Sequence, residues 1–168
     1  KVTGVQTCAL PIFRLQAHTD RLFRSAHILR MKMPFDREAI NAAHCAVVRD
    51  NALKEAYLRP LAFLGSEAMG LRAEGLATHV AVAAWEWPSY MDPEARERGI
   101  KVRCSSYTRH HVNVTMCKAK AVGTYTNSML ALREAIDSGC EEALLLDPEG
   151  YVAEGSGENF FLVRHGKL

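Results

Sequence analysis

Apolar residues recur at helical spacing near the start of the chain, at Leu22, Phe23, Ala26 and Leu29, and Pro34 ends that unit. Thr19 or Asp20 is the expected cap, with a side-chain oxygen able to take a free backbone N–H. Asp36 is expected to start a second helix, with Ile40, Ala43, Val47 and Val48 on one face and its end near Asn51. His44 falls on that face and is expected to be a hydrogen-bonded core histidine rather than a ligand. The pattern then turns to strands. Residues 55–64 predict a strand, 65–77 a loop, and 78–87 a buried strand rich in Val and Ala. Pro88-Ser89-Tyr90-Met91-Asp92-Pro93 is the one linker-like stretch, so a domain boundary is expected near residues 88–95.

Beyond it, residues 100–107 predict a strand. Residues 125–138 predict a helix with Met129, Leu132 and Ile136 inward and Gly139 as its stop. Residues 142–146 and 151–153 predict strands joined by the turn Asp147-Pro148-Glu149-Gly150, and 159–164 a final strand. The element order predicts an α+β fold and not a doubly wound sheet.

Composition narrows the class. Hydrophobic residues make up 48% and charged residues 24%, enough apolar content for a core. The net charge of +2, with both signs interspersed, gives no electrostatic case for nucleic acid or an anionic membrane. Cys8, Cys45, Cys104, Cys117 and Cys140 are scattered without CxxC spacing. They argue neither for zinc nor for a disulfide scaffold, and suggest a reducing, cytoplasmic setting. His110-His111 is the one histidine pair, and adjacent strand positions point to opposite faces, so a surface loop is the better reading than a metal site.

Two segments carry candidate chemistry. Lys120-Ala121-Val122-Gly123-Thr124-Tyr125 offers an amine, a glycine and a phenol. Glu154-Gly155-Ser156-Gly157-Glu158-Asn159 offers two carboxylates in a glycine-rich bend. Pyridoxal phosphate chemistry needs such a set: an amine for the aldehyde, a carboxylate for the pyridine nitrogen, and a phenol for the ring oxygen. By spacing alone the signal is weak, because lysines and glutamates mostly lie on solvated faces.

The runs KAKAVGTYTNSMLALREAIDSG and EALLLDPEGYVAEGSGENFFLV, with HTDRLFRSA and AYLRP before them in order, resemble the branched-chain amino-acid aminotransferases. These are class IV, fold type IV, pyridoxal-phosphate enzymes. The resemblance runs from about Phe13 to Leu168 and implies a two-domain α+β fold, with residues 13–90 in a small N-terminal domain and 91–168 opening a larger cofactor-binding domain. Val2 to Ile12, VTGVQTCALPI, has no place in that pattern and matches an in-frame translation of a sequencing-library adapter, so residues 1–12 are expected to be non-native. Both domains are then expected to be incomplete, and the 168-residue piece inactive by itself.

The resemblance implies transamination of leucine, isoleucine and valine with 2-oxoglutarate, by a ping-pong route through pyridoxamine phosphate, in a cytoplasmic homodimer or larger oligomer. It implies Lys120 as the Schiff-base lysine, because the family's lysine stands five residues before a tyrosine; Lys118 lacks that offset to Tyr125. Burial is expected to favour its neutral amine. The resemblance also implies Tyr125, Glu154, Glu158 and Asn159 as cofactor-binding, with Glu154 on the ring nitrogen. Gly155 and Gly157 are expected to permit turns forbidden to other residues and close approach to the ring. Arg21 in His18-Thr19-Asp20-Arg21-Leu22 is implied as the phosphate ligand, and Tyr57 and Arg59 as the substrate side, with Arg59 able to receive a second carboxylate. The plainer readings are a solvated Arg21, a strand-end Glu154 in solvent, and a Glu158 that only pairs with an arginine such as Arg59. Trp85 and Trp87 are expected in core or interface. Thr124 and the stretch His110 to Cys117 depart from the family's commoner sequence. Other class IV enzymes (D-amino-acid or amine transaminases, aminodeoxychorismate lyases) and a non-catalytic fragment are the alternatives. No metal is implied.

Overall fold

The computed structural model describes residues 12–87 and 93–168. The expected non-native segment, Ile12 apart, and most of the linker-like stretch lie outside the described residues. The chain divides into two compact units, Lys1–Tyr90 and Met91–Leu168.

In the first unit, helices α1 (Leu15–Ile28) and α2 (Arg37–Asp50) pack on one face of an antiparallel pair, β1 (Tyr57–Leu64) and β2 (Thr78–Trp85). Helix α1 starts well before the expected cap. Thr19 is fully buried inside it, and its hydroxyl donates to Asn41 Oδ1 at 2.6 Å, tying α1 to α2. Asp20 instead pairs with Arg37 at 2.7 Å. Asp36 does cap α2, accepting from Ala39 N at 2.8 Å, and Asn51 closes it. His44 is 2% exposed, with Nδ1 2.7 Å from the Ile40 carbonyl, the core histidine expected from its place on the apolar face. β2 is not a buried strand. Helices cover the hairpin on one face only, so burial alternates along both strands. Tyr57, Arg59, Leu61 and Phe63 lie on the open face.

In the second unit, α3 (Pro93–Arg98) leads to a mixed sheet of β3 (Val102–Cys104), β4 (Glu142–Leu146) and β5 (Val152–Gly155), in the order β3-β4-β5. β3 and β4 are parallel, joined through α4 (Tyr125–Asp137), and β5 returns antiparallel. β3 is shorter than expected because the chain beyond Cys104 turns to α4: Glu134 accepts from Ser105 Oγ at 2.7 Å and Ser106 N at 2.9 Å. The buried face of α4 is also not the expected one. Ser128, Ala131 and Ala135 are inward, while Met129 and Ile136 are 69% and 53% exposed. Ala131, Ala135, Ala143 and Leu145 are fully buried together. The small side chains let the helix axis approach the strand, which Met and Ile at those positions would prevent. Gly139 stops the helix with φ +75°. The turn at Asp147 forms as expected, its carboxylate accepting from Glu149 N and Tyr151 N. Residues 159–164 form no strand. There the chain makes only an isolated bridge between Arg164 and Lys167. Cys104, Cys117 and Cys140 are free.

Two stability outcomes follow from the second unit. The Glu134 carboxyl is lowered from 4.5 to about 2, first by the Ser105 hydroxyl and then by the Ser106 backbone, with Arg103 adding to it. A folded-state value below the unfolded one adds stability above pH 4.5 that is lost as pH falls toward about 2. Glu134→Gln should therefore flatten the fall of the thermal midpoint across that window, measured against the unsubstituted protein. Ala131→Leu should cost about 1–3 kcal/mol by overpacking the helix–strand seam, read from denaturant unfolding.

Candidate active site

The lysine segment is a series of tight turns. Ala119 is buried, and the Ala121 N–H donates to the Ala119 carbonyl at 2.9 Å, which puts Lys120 at the apex of a three-residue turn. A 3₁₀ turn over Val122–Thr124 then feeds α4, whose first residue is Tyr125. Thr124, where the family commonly has another residue, donates its hydroxyl to the Ala121 carbonyl at 2.8 Å and braces that turn. Lys118, Lys120 and Tyr125 are exposed. The burial expected for Lys120 is therefore not supplied inside this unit, because a loop apex has no layer packed over it.

Glu154 lies in β5 opposite Leu145. Its Oε1 is 2.7 Å from Arg109 Nε, with the two side chains 40% and 23% exposed. The plainer reading of Glu154, a strand-end glutamate in solvent, gives way to an ion pair. Arg109 belongs to none of the sequence motifs. The available signal was its place in a polar stretch just past a strand, where pairing continues: Arg109 N donates to the Leu146 carbonyl at 2.8 Å.

The bend after Glu154 is organised by carboxylates. Gly155 N donates to the Glu158 carbonyl at 2.9 Å, and Gly157 N to Glu158 Oε2 at 3.4 Å. Ser156 N donates to Glu142 Oε1 at 3.1 Å, and Ala143 N to the same oxygen at 2.7 Å. Burial would raise the Glu142 carboxyl, but hydrogen bonds from Glu158, Ser156 and the backbone outweigh it and hold it below the usual range. Neither Gly155 nor Gly157 has positive φ, so the turn forbidden to other residues is not there. At Gly155 the constraint is space: a Cβ would lie 3.2 Å from Glu158 Oε2. At Gly157 a Cβ would meet nothing within 4 Å. Asn159 is exposed at the end of the bend.

His110 and His111 lie in the loop before the lysine. The Cys117 thiol donates to the His110 carbonyl at 3.4 Å and folds that loop back on itself. His110 Nδ1 is buried without a hydrogen bond among the described residues. No group of three or more potential metal ligands occurs among the described residues.

The first unit holds the other candidates. Arg21 is exposed on α1, with one terminal guanidinium nitrogen 3.2 Å from His18 Nδ1. On the open sheet face Tyr57 packs against Trp85 and Trp87, with ring centroids 5.1 and 4.9 Å away, and the two indoles meet at 5.6 Å. The Arg59 guanidinium lies 5.4 Å from the centroids of both Tyr57 and Trp85. Trp85 and Trp87, expected in core or interface, thus join Tyr57 and Arg59 in one cluster, because the register sets Trp85 directly across from Tyr57. Such a surface offers an apolar floor with a cation at its edge.

Comparison with known proteins places these features. The family model for amino-transferase class IV matches residues 7–168, reaching back into the segment expected to be non-native. The chain is 63% identical over 157 residues to a branched-chain-amino-acid aminotransferase of Pseudomonas aeruginosa, covering 94% of this chain and 51% of the relative. It is 40% identical over 158 residues to the enzyme of that name from Escherichia coli K12, with the same coverage. Among solved structures, a T.th. branched-chain amino acid aminotransferase with pyridoxamine 5'-phosphate superposes with a TM-score of 0.87 at 48% identity, over 92% of this chain and 51% of that one. The Escherichia coli branched-chain amino acid aminotransferase gives 0.88 at 40% identity, with the same coverage. The chain therefore spans about half the length of the relatives it matches, and its fold is that of fold type IV aminotransferases. On the match of nearly its whole length, the chain belongs to the amino-transferase class IV family.

Proposed function

We propose that the protein is a pyridoxal-phosphate-dependent transaminase that moves the amino group of leucine, isoleucine and valine to 2-oxoglutarate. The carrying observation is the composition of the second unit: an amine at a loop apex, a phenol at the first residue of a helix, and a carboxylate held by a cation, Lys120, Tyr125 and Glu154. The residue set fits the cofactor: the amine of Lys120 and the phenol of Tyr125 are exposed, and the Glu154 carboxylate, though paired with Arg109, stays 40% exposed. The branched-chain assignment draws on the 63% identity to the Pseudomonas aeruginosa enzyme.

When bound, pyridoxal phosphate supplies an electron sink for negative charge at the amino acid Cα. Lys120 would be the amine that holds the cofactor, and its free amine would be the base for the amino acid Cα proton. Glu154 keeps a proton on the ring nitrogen, and Tyr125 donates to the ring oxygen. Glu158, which fixes the bend, and Asn159 complete the cofactor-binding side. Arg21 binds the phosphate, for which a planar guanidinium suits two oxygens at once. On the substrate side, Tyr57 with Trp85 and Trp87 receives the apolar side chain, and Arg59 the second carboxylate of glutamate. Residues 13–90 and 91–168 are then the small domain and the start of the cofactor domain. A homodimer or larger assembly in the cytoplasm completes the proposal, and no described helix is long and apolar enough to cross a membrane.

The test is turnover, in the protein as its gene encodes it, of leucine, isoleucine and valine with 2-oxoglutarate. Activity with D-alanine alone would assign it to another class IV reaction. Glu154→Gln removes the charge and keeps the shape. It should leave cofactor binding intact and slow transamination by roughly two powers of ten or more, about 3 kcal/mol. An unchanged rate would move the role to Glu158.

A further inference from the structure

Arg109 reaches three elements at once. Its Nε meets Glu154 of β5 at 2.7 Å. A terminal guanidinium nitrogen donates to Asn127 Oδ1 at 3.3 Å and to Ser128 Oγ at 3.2 Å, both in the first turn of α4. Its backbone N–H extends the pairing to β4 at Leu146. Asn127 in turn donates Nδ2 to the Thr108 carbonyl at 3.0 Å, which fixes the loop that carries Arg109. A glutamate on a strand end has several rotamers of similar energy, and holding one of them costs side-chain entropy. An ion pair with a guanidinium already braced by two further acceptors favours one rotamer. The closest approach of the pair is to Oε1, and the Glu154 side chain stays 40% exposed.

We propose that Arg109 is a positioning residue that aims Glu154 at the cofactor's ring nitrogen and locks β5 to the start of α4. Tyr125 is two residues before Asn127, so the link sets the separation of the phenol and the carboxylate, the groups assigned to different positions of the same ring. Arg109 itself touches neither cofactor nor substrate in this role. A lysine could not replace it: one ammonium cannot meet Glu154 and the α4 acceptors in the geometry of a planar fork.

This role rests on the pyridoxal-phosphate reading, and the experiment separates the two. The protein as its gene encodes it is loaded with pyridoxal phosphate carrying ¹⁵N in the ring, and the ring-nitrogen signal is recorded for the unsubstituted protein, Arg109→Met and Arg109→Lys. The unsubstituted protein should give a protonated ring nitrogen, Arg109→Met an unprotonated one, and Arg109→Lys a mixture. In parallel, Arg109→Met should lower kcat by roughly tenfold to a hundredfold, with KM for leucine within about threefold. In a Glu154→Gln background the same substitution should change kcat by less than about threefold, because its target is already gone. If Arg109→Met fails to fold, the Arg109→Lys signal carries the test. Failure of the unsubstituted protein to hold the labelled cofactor overturns the cofactor reading and this role with it. A ring nitrogen that stays fully protonated in the variants, or effects that multiply independently with Glu154→Gln, overturns the positioning role alone.

Discussion

The close approach of α4 to β4 is the constraint on which the second unit depends. Ala131 and Ala135 meet Ala143 and Leu145 with no exposed surface left on any of them. Sheet pairing then extends the order outward: β3 and β5 flank β4, and the loop beyond β3 follows it as far as Leu146. The seam fixes where α4 begins, and with it Tyr125. It also fixes the strand against which β5 must pair, and with it Glu154. A helix held by alanines has little rotameric slack, so the groups at its start are placed by backbone geometry.

On that frame the two glutamates of the bend have different surroundings. Glu154 is held by a cation and stays 40% exposed. Glu158 takes N–H groups of its own bend with its carbonyl and side chain, and its side chain also bonds Glu142 of β4. Glu142, from β4, takes Ser156 N and so ties the bend to the sheet. A buried carboxylate is costly unless it is hydrogen-bonded, and Glu142 meets that condition with backbone donors. The same residue type thus serves as ligand candidate in one place and as brace in two others.

Much of this was legible in the chain. Asp36 as cap, His44 as core, Gly139 as stop and the Asp147 turn are local features, and local chemistry decides them. What failed was set by tertiary packing. Thr19 resembles a cap but spends its hydroxyl on Asn41 in another helix. Met129 and Ile136 have the stronger apolar character, yet alanines face the strand, because closeness to a sheet favours small residues. The strand expected at 159–164 has suitable residues and no ladder partner among the described ones, and a strand needs one. The catalytic candidates were legible through family resemblance, since amine, phenol and carboxylate recur in known order. Arg109 was not, because its partner is far along the chain and only folding brings them together.

The central claim is that Lys120, at its loop apex, is the amine that holds pyridoxal phosphate. Borohydride reduction of the cofactor-loaded protein, followed by digestion and mass spectrometry, tests it most directly, because reduction fixes the cofactor to the amine that bears it. The account predicts the added mass on Lys120 alone. Label on Lys118, or on surface lysines without preference, would contradict it.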